Sequence, residues 1–176
     1  MRINSPDPLF SRINASLLRI NDDLSHAKAI REAMKDVKSD LIMSGLDDSI
    51  GPSLHNVFCG IEDILGDIAE TVDGEKPFGG GWHSKLLDQM SHPTSLRPAV
   101  IENDEELRDL MRFRHVFRKT YGKPLRHEEI LARLTVTDET ILPNPLSALQ
   151  VFRSFLETST QETSTESNES ESATPP

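Results

Sequence analysis

Arg114, His115, Lys119 and Tyr121 fall in one short run of the chain and together offer two cations, an imidazole and a phenol. The run is basic on an acidic background. Formal net charge is -10, yet seven of the 19 Lys and Arg lie between Arg108 and Arg126: Arg108, Arg112, Arg114, Arg118, Lys119, Lys123 and Arg126. A local cationic stripe on an acidic protein points to a specific anion site rather than to general coating of nucleic acid. At 100° per residue, Leu107, Leu110, Met111, Phe117 and Tyr121 share a helix face with Arg114 in its middle. An arginine there needs a partner: a buried carboxylate, the edge of the fold, or an anion in a cleft. On the adjoining flank Arg108, Arg112, His115 and Lys119 stack at helical spacing.

These parts suit phosphodiester chemistry. An RNA strand brings its own nucleophile, the 2′-hydroxyl, so cleavage without metal requires only proton transfer and cations for the developing phosphorane charge. Arg114 is the charge stabiliser in this reading, and His115 brings an imidazole, the side chain that titrates near neutral pH. A plainer reading stays open, with Arg114 a structural ion-pair partner and the stripe a solvated face.

Other patterns point less far. His127-Glu128-Glu129 opens like a zinc-protease helix but lacks the second histidine at the required spacing. His83 and His92 have no acid or thiol placed nearby in sequence to complete a metal site, and read as surface or core-edge residues. His55 and Glu62 share a helix flank two turns apart and could line a groove, although a satisfied structural histidine is the simpler reading. Gly79-Gly80-Gly81 is neither preceded by a strand nor followed by Lys-Ser/Thr, so it is a connector and not a phosphate loop. Cys59 is the single cysteine, which excludes an internal disulfide and a cysteine-built zinc site. No metal or cofactor is expected.

The elements that must position these residues are helical. Leu17 to Leu41 keeps a three- and four-residue apolar period, and Met43 to Gly51 breaks it. A second helix is expected over about Ser53 to Val72, with Pro52 in its first turn. Its apolar positions are Leu54, Val57, Phe58, Ile61, Ile64, Leu65, Ile68 and Val72. Trp82 to Met90 is a short helix. Asn103 with Glu106 forms a capping-box variant for a helix running to Tyr121, stopped by Gly122 and Pro124. A short helix follows over Arg126 to Leu134, and a last one after Pro145 packs Leu149, Phe152, Phe155 and Leu156. No stretch alternates as a strand would. The expected fold is an all-α antiparallel bundle of about five helices over residues 1–157. Residues 158–176 are Ser, Thr and Glu-rich with four glutamates and no base, and are expected to form a disordered acidic tail. No apolar run reaches the length of a membrane span, and the N-terminus has no signal-peptide core. The expected location is the cytoplasm.

Leu107 to Gly122, read as LRDLMRFRHVFRKTYG, resembles the signature helix of HepT-like proteins in the HEPN superfamily of helical ribonucleases. Two upstream blocks resemble that family in the same order: His55 to Glu62, and Gly81 to Met90 leading to Arg97 to Val100. The resemblance implies a homodimer whose motif helices meet at a cleft, a metal-independent endoribonuclease, and a toxin of a toxin-antitoxin pair. It also implies a minimal nucleotidyltransferase (MNT) antitoxin that transfers AMP from ATP to the motif tyrosine. The family pattern is Arg, four residues, His, one residue, Tyr. Arg114 matches its arginine and Tyr121 its tyrosine, while Lys119 stands where the histidine belongs. A lysine ammonium is a cation rather than a base at neutral pH. The site residues are therefore expected to be Arg114, His115, Lys119 and Tyr121 for catalysis, with Tyr121 also the modification site and Arg108, Arg112 and Arg118 contacting RNA. The alternative expectation is an inactive HEPN module that binds RNA, nucleotide or the partner nucleotidyltransferase.

Overall fold

The structure, a computed structural model, describes residues 3, 5, 7–101, 105–119 and 126–171, with the side chains at 118, 119, 144 and 159–171 outside the description. Among the described residues there are helices and no strands: α1 (Pro8–Met34), α2 (Asp40–Ile68), α3 (Trp82–Met90), α4 (Glu105–Lys119), α5 (His127–Val136) and α6 (Pro143–Glu171). π-helical turns close α2, at Ala69–Asp73, and α5, at Thr137–Ile141. No helix among the described residues is long and apolar enough to cross a membrane.

α1 starts earlier than the apolar period alone suggests. Asp7 caps it, its Oδ1 accepting from the Leu9 amide at 2.8 Å, and Pro8 fills the first turn, where its missing N–H costs nothing. It also ends sooner. The chain turns at Lys35-Asp36, so Val37 and Leu41 leave the stripe, and Leu41 is exposed on the first turn of α2.

The expected break over Met43–Gly51 does not occur, since α2 runs unbroken through Gly45, Gly51 and Pro52. Pro52 lacks an amide proton and so forgoes one helical bond, a defect that normally ends or kinks a helix. Burial holds this stretch helical: Asp47, Ile50, Gly51 and Ser53 are all buried, and Asp47 Oδ1 lies 2.8 Å from His127 Nδ1 at the start of α5. The π-turn takes the expected last turn around Val72.

α1 and α2 lie antiparallel, as their side-chain pairs show: Arg12 with Asp67, Arg19 with Asp63 and Asp23 with Asn56. Gly60 sets how closely they approach, because a Cβ there would sit 2.5 Å from Ile20 Cγ1. The apolar positions expected on α2 from Leu54 to Ile68 are buried, and Val72, in the π-turn, is half-buried. Phe10 of α1 meets Phe152 of α6 at 5.9 Å between ring centroids, bringing the last helix onto the same core. Leu149 and Phe152 are buried as expected, whereas Phe155 is exposed. On α4 the buried set is Leu107, Leu110 and Phe113, with Phe117 stacked on Phe113. This includes Phe113, which the expected face omitted, and it moves Arg114 from the middle of the stripe to its margin. The Asn103 cap and the stop at Gly122 and Pro124 lie outside the described residues, as do the side chains of most of the expected acidic tail.

Candidate active site

Three helices converge on Arg114. α2 contributes Glu62 from the flank of its apolar face, with Phe58 one turn earlier. α3 contributes His83 from its first turn, which follows Gly81 at φ +70°, a left-handed conformation that favours glycine. α4 contributes Arg114.

His83 sits between the other two. Its Nδ1 makes a close contact with Glu62 Oε1, and its Nε2 lies 3.1 Å from Arg114 Nη1. A guanidinium can only donate, so Nε2 accepts and the imidazole proton resides on Nδ1, facing the carboxylate. Arg114 Nη2 is 3.7 Å from Glu62 Oε2, an ion pair too long for a hydrogen bond. The Arg114 Nε is buried and has no hydrogen-bond partner among the described residues, and its guanidinium carbon lies 5.9 Å from the Phe58 ring centroid. The Trp82 ring lies 3.8 Å from the His83 ring, with Lys76 Nζ on the indole at 5.7 Å.

Access is graded across the cluster: the Glu62 side chain is 5% exposed, Arg114 12% and His83 25%. Burial pushes the Glu62 carboxyl up to about 7; Arg114 pulls it down, Asp63 pushes it up and Lys76 pulls it down. A carboxyl that titrates near neutrality beside an imidazole and an arginine is the kind of constellation that acid-base sites use.

The stripe expected to contact RNA is largely paired within the chain. Arg108 Nη2 donates to Asp88 Oδ1 at 2.6 Å, and Arg112 bonds to Asp109 and, at 3.2 Å, to Glu105. His115 is exposed, one residue and 100° around α4 from Arg114. Arg118 and Lys119 end α4 with side chains outside the description, and Tyr121 lies outside the described residues.

Sequence reasoning missed Glu62 and His83. Both stood in the blocks that resemble HepT-like proteins, but His83 was read as a surface or core-edge residue and Glu62 as part of a possible groove with His55. His55 instead lies 3.7 Å from Cys59 Sγ and 6.0 Å from the Phe117 ring. Among the described residues, no group of three or more His, Cys, Asp and Glu is placed to hold a metal ion.

Comparison with known proteins returns no match among curated proteins and none among solved structures. A family model described as HepT-like protein matches residues 49–158, which takes in α2 from its buried middle, α3, α4, α5 and the start of α6. With more than half its length under that match, the chain belongs to the HepT-like protein family.

Proposed function

We propose that this HepT-like protein is the toxin of a toxin-antitoxin pair, a metal-independent endoribonuclease that cleaves RNA in the cleft of a homodimer. The observation that carries the reading is the state of Arg114: a cation at the margin of the core that has, among the described residues, one hydrogen bond, a buried unsatisfied Nε and a weak ion pair. A scissile phosphate would supply the acceptors it lacks, and charge-assisted bonds to phosphate are the stronger kind. In the reaction the 2′-oxygen bonds to phosphorus and the bond to the 5′-oxygen breaks. The products are a 2′,3′-cyclic phosphate and a 5′-hydroxyl, and the proton lost by the 2′-oxygen is balanced by one gained at the 5′-oxygen. Arg114 stabilises the phosphorane; Lys119 adds positive charge where the family pattern has histidine. Arg108, Arg112 and Arg118 contact the strand on either side, and His115 stands at its exposed edge. The partner is an MNT nucleotidyltransferase, which silences the toxin when the Tyr121 phenolic oxygen, losing its proton to solvent, bonds to the α-phosphorus of ATP, so that AMP is transferred and pyrophosphate leaves. The workplace is the cytoplasm.

The Glu62 contact favours a second reading. A carboxylate of the same chain within 3.7 Å can make Arg114 a structural partner, leaving a module that binds RNA, nucleotide or the nucleotidyltransferase without cleaving.

Incubating the purified protein with mixed RNA in excess EDTA, beside Arg114→Ala, separates the two. Cleavage by the wild type, reduced by about a hundred to a thousand-fold in the variant at unchanged melting temperature, is the expected result. RNA binding without cleavage in the wild type establishes the second reading.

A further inference from the structure

We propose that His83, held by Glu62, is the proton-transfer group of this site and does the work of the histidine that the family pattern places at position 119. The inference rests on the ribonuclease reading above and adds a catalytic residue from a different helix.

The geometry supplies what a general base requires. Glu62 accepts from Nδ1 and fixes both the ring orientation and the tautomer, leaving the basic lone pair on Nε2. That lone pair points at Arg114 Nη1, 3.1 Å away, so a phosphate seated on Arg114 comes to rest beside Nε2. His83 is also the most exposed member of the cluster, and the Trp82 ring packed against it limits its movement. The other two residues in question serve less well. His115 projects 100° away from Arg114 on an exposed flank, and a lysine at 119 is a cation at neutral pH.

Binding of the anionic phosphate draws the Arg114 donor from the neutral imidazole to a charged acceptor and frees Nε2. Nε2 takes the 2′-hydroxyl proton as the 2′-oxygen bonds to phosphorus, and the imidazolium that forms is stabilised by the Glu62 carboxylate at Nδ1. The bond to the 5′-oxygen breaks, and that oxygen takes the proton back from Nε2. Proton count and charge are restored with no further reactant. Among the described residues, Glu62 of α2 and Arg114 of α4 face the imidazole directly, and Asp63 of α2 and Lys76 of the loop before α3 act on its Glu62 partner.

The test measures kcat and KM for RNA cleavage in EDTA by the full chain and by His83→Asn, His83→Gln, Glu62→Gln and Arg114→Ala. Binding to a 2′-O-methyl RNA that cannot react is followed in parallel. Both His83 variants are expected to lose at least about a hundred-fold in kcat, with binding and melting temperature close to wild type. Added imidazole should restore part of the His83→Asn rate. Glu62→Gln should shift the acidic limb of the pH-rate profile downward, because an imidazole without its carboxylate loses its proton more readily. Nitrogen-15 spectra of the resting protein should show His83 protonated on Nδ1. Wild-type kcat in both His83 variants, with Arg114→Ala inactive, overturns this inference and leaves the ribonuclease reading standing. Absence of cleavage by the wild type overturns both.

Discussion

Two arginines held by carboxylates, Arg97 and Arg114, lie in the same protein and are treated in opposite ways. Arg97, in the link after α3, is fully buried, and all five of its N–H donors are used. Nε and Nη2 pair with the two Asp73 oxygens at 2.7 and 2.6 Å; the carbonyls of Gln89, His92 and Pro98 take the rest at 3.1 Å. Among the described residues Arg114 makes one hydrogen bond, to an imidazole, and its carboxylate partner is itself pushed toward the neutral form. The first arrangement ties the link between α3 and α4 to the π-turn that ends α2. The second leaves a cation short of acceptors at an accessible margin. The pairing of an arginine with an acid therefore does not distinguish structure from function; the count of satisfied donors does.

Removing each guanidinium in turn and measuring thermal unfolding should show the largest difference between the two sites. Arg97→Met strands the Asp73 carboxylate and three carbonyls, and is expected to cost about 3 to 5 kcal/mol. Arg114→Met should cost about 1 kcal/mol or less near pH 6, because Glu62 can take up a proton and no buried charge is left behind. Equal losses from the two variants would erase the distinction.

The next effect is pH-dependent. In the unfolded chain Glu62 titrates near 4.5; in the fold it titrates at about 7. Below pH 4.5 both states hold the proton. Between the two values only the folded state does, so the contribution of Glu62 to stability declines as pH rises and is lost once pH passes about 7. A gap of this size corresponds to roughly 3 kcal/mol. Glu62→Gln should therefore flatten the stability profile over that window and make the protein relatively more stable at pH 8. An unchanged slope in denaturant titrations from pH 5 to 8 would place the titration elsewhere.

The smallest effect belongs to the exposed stripe. Arg112→Ala removes pairs with Asp109 and Glu105 that stand in solvent, and should leave the melting temperature unchanged within measurement, since pairs of this kind contribute little. If Arg112 contacts RNA, the same variant should instead weaken RNA binding in a salt-dependent way.

Much of the fold was legible because helical periodicity is local. The stripe from Leu54 to Ile68 and the bounds of α3 follow from spacing and from glycine, and the structure has them. The failures fall where local rules compete with burial. Gly45, Gly51 and Pro52 read as a break, yet the buried contact of Asp47 with His127, eighty residues away, accompanies an unbroken helix. Val37 and Leu41 kept the period of α1 in sequence but had no core to face once the chain turned at Lys35.

That the chain is helical, that positive charge gathers on one helix and which family its ordered blocks resemble are all legible in the residue order, because each is a property of neighbouring residues. What Arg114 meets is set by packing. Glu62 and His83 lie 52 and 31 residues before it, on two other helices, and no spacing rule connects them. Their meeting depends on how three helices pack, and that packing also buries Glu62 enough to raise its pKa and leaves His83 at the open edge.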